Sequence, residues 1–255
     1  MTPSVAATDL VLAYGSHVAI AASTFTIPTG GVTAVIGPNG SGKSTLLSAI
    51  AGLLEPRSGR LEVPARVHDR HRIAYVLQTT KVNDVLPVTV REIVLMGRFA
   101  GAGAFGRVGR PRDRAAVDEA MERLGITDLA NRHLRELSGG QRQRVFVAQG
   151  LAQPHDMLLL DEPLTGIDLP TAQAIDEVIH DERSRGCSVI LTTHDLSEAR
   201  VADHTVLLSG RVVAAGPSDE VLTEANLVEA YGPSLLHVGE GRLFLDDPAH
   251  TPVPG

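Results

Sequence analysis

An apolar run, Val32-Thr33-Ala34-Val35-Ile36, ends in Gly37-Pro38-Asn39-Gly40-Ser41-Gly42-Lys43-Ser44. No other stretch limits the possible folds as tightly. The run is rich in β-branched residues and unbroken, which predicts a strand buried in a parallel sheet. After it, Leu46, Leu47 and Ile50 fall on one face at helical spacing, which predicts a helix from Lys43 to Ala51. Strand, glycine-rich turn and helix in this order match G-x-x-x-x-G-K-[ST], the spacing of a phosphate-binding loop. The glycines let consecutive backbone N–H groups curl around phosphate oxygens with no Cβ in the way. The helix N-terminus adds favourable dipole charge. Lys43 supplies a cation for the β- and γ-phosphates, and the Ser44 hydroxyl, followed by Thr45, suits a Mg2+ ligand. The expected nucleotide set is therefore Gly37, Pro38, Asn39, Gly40, Ser41, Gly42, Lys43, Ser44 and Thr45.

Elsewhere the pattern alternates between strand and helix. Residues 8–27 read as two antiparallel strands around Tyr14-Gly15-Ser16, and Ile73-Ala74-Tyr75-Val76-Leu77 as a strand ending at Gln78. The character then changes. Thr89-Val90-Arg91-Glu92-Ile93-Val94-Leu95-Met96 reads as a helix, and Val117, Ala120, Met121 and Leu124 mark the apolar face of another. Between them stand Gly97, Gly101, Gly103, Gly106 and Gly109. Leu137-Ser138-Gly139-Gly140-Gln141 leads into a helix expected from Gln141 to Leu151. Met157-Leu158-Leu159-Leu160 is a buried strand with Asp161 and Glu162 at its C-terminal end, where an α/β sheet presents catalytic groups. From there strand–helix alternation argues a parallel sheet. Ser188-Val189-Ile190-Leu191-Thr192-Thr193 is a further buried strand, ending at His194.

The phosphate loop followed by LSGGQ resembles the ATP-binding cassette family, the ATPase subunits that drive membrane transporters. The resemblance covers nearly the whole chain to about residue 232. It implies an α/β fold: a P-loop RecA-like core with a parallel sheet, an antiparallel β subdomain and an inserted α-helical subdomain. The expected division is an ATPase domain over residues 1–234, with core 1–78 and 153–234 and helical subdomain 79–152, then a C-terminal hairpin and disordered tail over 235–255. The resemblance also implies roles. ATP and Mg2+ are the ligands. Asp161 resembles the carboxylate that holds Mg2+, with Ser44 and Gln78 beside it. Glu162 resembles the general base for the attacking water. Gln78 and His194 resemble the Q-loop glutamine and the H-loop histidine at the γ-phosphate; alone, each reads as an ordinary residue at a strand end. Asp168 resembles the family's D-loop carboxylate. Tyr14 is either the adenine-stacking aromatic or a half-buried strand tyrosine.

The chain carries no arginine obviously placed as a finger for the γ-phosphate. In the family, Ser138, Gly139, Gly140 and Gln141 act there from a neighbouring subunit, which implies a head-to-tail homodimer with C2 symmetry. The formal net charge of −7 argues against a nucleic-acid partner. No apolar run approaches the roughly 18 residues of a membrane span, and Met1-Thr2-Pro3-Ser4 has no signal-peptide character. Integral-membrane permease subunits are the expected partners, with a solute-binding protein in the same system. The expected location is peripheral, on the cytoplasmic face of the inner membrane. The lone cysteine, Cys187, reads as a small core hydrophobe. His68-Asp69-Arg70-His71 has no third ligand in view, so it reads as a solvated loop; His237 and His250 carry little weight.

The stretch Asp84-Val85-Leu86-Pro87-Val88-Thr89-Val90-Arg91-Glu92-Ile93-Val94-Leu95-Met96-Gly97-Arg98 is similar to the Q-loop region of zinc/manganese-type importer ATPases. So is the turn from Asp161 to Asp168. Iron-siderophore or haem importers are the nearest alternative. A non-transport ATPase of the DNA-maintenance type would need a long coiled coil between the motif halves, and the short helical lobe here argues against it.

Overall fold

The structure, a computed structural model, describes residues 2–68, 72–77, 87–99, 109–232, 236–239 and 242–245. Gln78, His71, residues 79–86, Gly101, Gly103, Gly106, His250 and the 246–255 tail lie outside the described residues. The chain divides into two compact units, residues 1–28, 33–62 and 192–255, and residues 29–32 and 63–191.

The first unit opens with β1 (Val5–Tyr14) and β2 (His17–Ile27), paired antiparallel. Along β2, Ser23, Phe25 and Ile27 are buried while Thr24 and Thr26 are exposed, the alternation of a sheet with one wet face. β3 (Gly31–Ile36) runs into the glycine-rich loop and α1 (Lys43–Ala51). The helix has the bounds its apolar spacing predicts. β4 (Ser58–Glu62) then returns to pair with β1, a third strand that alternation could not reveal because Leu61 is its only apolar side chain. Its Gly59 sits at φ 78°, and a Cβ there would lie 2.1 Å from the Asp9 carbonyl oxygen. Asp9 takes the unusual φ of 47° in the irregular part of β1, a conformation that aspartate tolerates better than most residues.

In the second unit α2 (Pro64–His68) precedes β5 (Ile73–Val76), and the helices α3 (Val90–Met96), α4 (Pro111–Arg123) and α5 (Gly139–Ala152) follow. The capping box at Thr89, with Glu92 reaching back to its backbone N–H, starts α3 and contributes about 1 kcal/mol. Val117, Ala120, Met121 and Leu124 are all buried, as their spacing requires. β6 (Met157–Leu160), α6 (Leu169–Ser184) and β7 (Ser188–Thr193) complete the unit's α/β part, with β5, β6 and β7 parallel in the register Ile73, Met157, Ser188. α5 is the hub: it packs on α3, α4, α6 and β5. Two glycines allow this. A Cβ on Gly97 would meet the Gln149 carbonyl at 2.1 Å, and one on Gly150 would meet Val76 Cγ2 at 2.6 Å.

β7 ends in the first unit, where α7 (Leu196–Val201), β8 (His204–Leu208), β9 (Val212–Pro217), α8 (Ser218–Val221) and α9 (Glu224–Tyr231) follow. β8 runs parallel to β3, with Thr33 opposite His204. The parallel sheet that strand–helix alternation argues for is present in β5, β6 and β7 and in β3 and β8, and β9 is added antiparallel to β8. The connection through Ser209, Gly210 and Arg211 is a tight turn, far too short for a crossover. β10 (Leu236–Gly239) and β11 (Arg242–Leu245) form the hairpin expected near the C-terminus.

Gly97 has φ −57°, so its role is steric and not conformational. Gly97→Ala should therefore push α3 off α5. The expected loss is about 1–3 kcal/mol of unfolding free energy, as for overpacking, read from urea melts. Gly139→Ala, where a Cβ would meet nothing within 4 Å, should cost no stability and gain up to about 1 kcal/mol from the lower entropy of the unfolded chain.

Candidate functional site

The phosphate loop is held by its backbone. A Cβ on Gly37 would stand 2.1 Å from the Leu208 carbonyl oxygen, so the chain can leave β3 along this path only as glycine. Gly42 has φ 103°, and a Cβ there would meet Ile20 Cγ1 at 2.7 Å. Gly40 also has positive φ, 78°, but faces open space. Ser41 N–H donates to Pro38 O at 3.1 Å and Gly210 N–H donates to Ser41 O at 3.2 Å, which tie the loop to itself and to the β8–β9 turn. Lys43 is buried, and its ammonium donates to Gly37 O at 2.8 Å and Pro38 O at 3.3 Å. α5, α6 and α9 are capped by the side chains of Ser138, Asp168 and Thr223, but no side chain caps α1. Its N-terminal N–H groups favour an anion. The buried Ser41 hydroxyl makes no hydrogen bond among the described residues. The donor set suits a polyphosphate.

Tyr14 and His194 belong to the same unit as this loop. Tyr14 closes β1 and is 54% exposed, which leaves one side of its ring open to a stacking partner. His194 is exposed between β7 and α7, where Asp195 caps the helix by accepting from Ser197 N–H at 2.6 Å. Ser44 is exposed and Thr45 partly so, in the first turn of α1.

The acidic pair belongs to the other unit. Asp161 is buried at the end of β6, and the Tyr75 hydroxyl donates to its Oδ2 at 3.5 Å. Glu162 has φ 48°, a left-handed conformation that a non-glycine residue occupies at a cost of about 1–3 kcal/mol. Such a turn aims the next side chain where a smooth strand exit would not. Gln143, buried on α5, donates to Pro163 O at 3.3 Å and so braces the turn that carries Glu162. Sequence reading misses Gln143, because a polar helix residue carries no signal of facing inward.

Ser138, Gly139, Gly140 and Gln141 form the start of α5, in the same unit as the acids. The helix begins at Gly139, two residues before the expected start at Gln141. The reason is the cap: Ser138 Oγ accepts from Gln141 N–H at 3.2 Å, and Gln141 Oε1 accepts from Ser138 N–H at 3.0 Å. This box closes over two glycines that would otherwise not begin a helix. Gly140 packs against the start of α6, where a Cβ would lie 2.6 Å from Thr171 Oγ1 and 3.0 Å from Asp168 Oδ2. Hydrogen bonds from the Thr171 side chain and backbone hold the Asp168 carboxyl below the usual carboxylate range. Gln78 lies outside the described residues.

An α/β chain with this strand, glycine cradle and uncapped helix is a P-loop nucleotide-binding protein. The ABC transporter family profile matches residues 20–165. The chain is 39% identical to the chelated iron transport system membrane protein YfeB of Yersinia pestis, over 96% of this chain and 84% of that one. It is 41% identical to the zinc transport system ATP-binding protein TroB of Treponema pallidum, over 88% and 85%. It is 37% identical to the manganese transport system ATP-binding protein MntA of Synechocystis, over 85% of each. Among solved structures it is similar to the ATP-binding cassette MJ0796 in a dimeric post-hydrolysis state with ADP and Pi, at TM-score 0.72 and 26% identity, covering 84% of this chain and 98% of that one. The chain belongs to the ABC transporter family and is an ATPase of that family. Among the described residues no helix is long and apolar enough to cross a membrane.

The strain at Glu162 is measurable. Glu162→Gly should be more stable than Glu162→Ala by about 1 kcal/mol, since both lose the carboxylate and only alanine keeps the strain, less the added chain entropy of glycine. Equal or lower stability of the glycine variant would mean that the turn is not strained.

Proposed function

We propose that this chain hydrolyses ATP to energise a membrane permease that takes up a transition metal, zinc or manganese. The observation that carries the ATPase part is the cradle of Gly37, Gly40 and Gly42 with Lys43 inside it. Lys43 exchanges its loop carbonyls for the β- and γ-phosphates when ATP arrives. Ser44, Asp161 and Gln78 would hold Mg2+, which would supply charge neutralisation at the phosphates. Glu162 takes the proton from the attacking water, a contribution on the order of 10²–10⁴ in rate. Gln78 and His194 orient the water and the γ-phosphate, and Tyr14 stacks on the adenine.

Ser138, Gly139, Gly140 and Gln141 serve the ATP of a second copy, donating N–H groups at the start of α5 to its γ-phosphate. The dimeric state of the similar cassette MJ0796 supports this reading. The functional division we infer is a core of residues 1–78 and 153–234, a permease-docking lobe of residues 79–152, and a C-terminal hairpin and tail. The work is done at the cytoplasmic face of the membrane, with a solute-binding protein delivering the cargo.

The names of TroB and MntA, at 41% and 37% identity over most of the chain, support the metal cargo. YfeB supports chelated iron as a second reading. A deletion strain should grow poorly in a chelator and recover when one of zinc or manganese is added. Recovery with an iron chelate alone would move the cargo to the second reading and leave the ATPase intact.

A further inference from the structure

A cleft of about 330 Å3 in the second unit is lined by the end of α5, the segment leading into β6, and residues of α4 and α6. None of the residues assigned to ATP lines it. Three side chains far apart in sequence meet there. One ligand atom each from His155, Glu182 and Cys187 lies within 4.8 Å of the others. The side chains of His155 and Glu182 are 7% and 6% exposed, and Cys187 is 6% exposed.

The hydrogen bonds of His155 fix its tautomer. Nδ1 stands 2.6 Å from the Gln153 carbonyl oxygen, which can only accept, so Nδ1 carries a proton. In the neutral ring Nε2 is then a lone pair, and it faces Glu182 Oε2 at 3.2 Å. Two acceptors held face to face call for a cation between them, either a proton or a metal. A ring whose far N–H is anchored on a carbonyl, presenting the other nitrogen beside a carboxylate, is the usual setting of a ligating histidine. The other Glu182 oxygen, Oε1, already accepts from Arg123 Nη1 at 2.7 Å, which orients the carboxylate. A proton shared by imidazole and carboxylate makes no use of a thiol, whereas a metal does. We propose that His155 Nε2, Glu182 Oε2 and Cys187 Sγ form a binding site for a borderline-soft divalent ion of the Zn2+ class, with a fourth position open to the cleft for water.

The donor set selects the ion. One nitrogen, one oxygen and one sulfur suit Zn2+, and a thiolate disfavours Mg2+ and Mn2+. At ordinary Zn–ligand lengths tetrahedral donors stand about 3.3–3.7 Å apart, so closing the cluster takes side-chain movements of about 1 Å. Glu182 and the Cys187 thiolate bring two negative charges to the ion. Glu182 also pairs with Arg123 at 2.7 Å and Arg185 at 3.8 Å, but each of these arginines has a second carboxylate, Asp181 at 3.6 Å and Glu119 at 3.4 Å, and Arg98 pairs with Asp113 at 3.1 Å. Burial first, then the negative charges of Glu182 and Asp156, push the Cys187 thiol up to about 12. A cation at the cluster opposes both effects, and on binding the thiol proton leaves to solvent as the S–metal bond forms. The ion would join the lead-in to β6, the last turn of α6 and the lead-in to β7, at the far ends of the helices that begin at Ser138 and Asp168.

Cys187 is the chain's one cysteine, so a thiolate-to-metal band can arise nowhere else. The test titrates the full-length, nucleotide-free chain with Co2+ alone and records the ultraviolet and visible spectrum. A charge-transfer band that saturates at one equivalent and is erased by Zn2+, but not by excess Mg2+, is expected. Cys187→Ser should abolish the band, and His155→Ala should weaken Zn2+ on the order of a hundredfold in competition with a chelating dye. Zn2+ should raise the melting temperature of the native chain and not of Cys187→Ser. Absence of the band at saturating Co2+ in the native chain would overturn the site whatever the variants do. So would Zn2+ affinity unchanged in a folded Cys187→Ser. Because neither ATP nor permease enters the measurement, its failure leaves the transport reading untouched.

Discussion

The close approach of two backbones, Gly37 against the carbonyl of Leu208, fixes where the phosphate loop can run. A methyl group on Gly37 would lie 2.1 Å from that oxygen. The loop therefore leaves β3 hard against its parallel neighbour β8, and the β8–β9 turn at Gly210 grips Ser41 from the other side. What is gained is a helix start without a side-chain cap. Buried polar groups without partners cost about 1–3 kcal/mol each, and a phosphate that supplies those partners recovers that cost on binding. The turned-back Lys43 fits the same logic: its charge rests on two loop carbonyls that a polyphosphate can replace.

The second unit is organised around α5. Its capped first turn carries Ser138 and the two glycines, its buried Gln143 braces the turn of the acidic pair, and its glycine-lined flank lets β5 and α3 approach. Gly140 lies against Asp168 and Thr171, so the start of α5 and the start of α6 cannot move independently. The strain stored at Glu162, at φ 48°, is the cost of turning the chain sharply out of β6.

Much of this was legible because the signals are local. Apolar runs marked β3, β6 and β7, and the i, i+3, i+4, i+7 face marked α4, since burial on one side imposes those periods. The loop was legible because phosphate binding demands glycine at set intervals. What stayed hidden depends on pairing between distant residues. β4 has a single apolar side chain and is a strand because β1 offers it an edge. β9 is antiparallel because of a short turn and not because of its own composition. Gln143 and Tyr75 became part of the site only once α5 and β5 were placed beside β6. Cys187 reads in sequence as a core filler, and it is buried, but His155 and Glu182 reach it only through the packing of α6. The roles of Gln78, His194 and Asp168 came from resemblance, as no local chemistry distinguishes them from ordinary residues at strand and helix ends.

We propose that each ATP is served by the phosphate loop of one copy and the Ser138 turn of another. Mixing two inactive chains, Lys43→Ala and Ser138→Arg, tests it directly. A heterodimer of the two holds one site with an intact loop and an intact Ser138 turn. ATP hydrolysis should reappear on mixing, below half of the native rate because each heterodimer holds one intact site of two. If heterodimers form by native mass spectrometry and hydrolysis stays at the level of either variant alone, the shared site is contradicted.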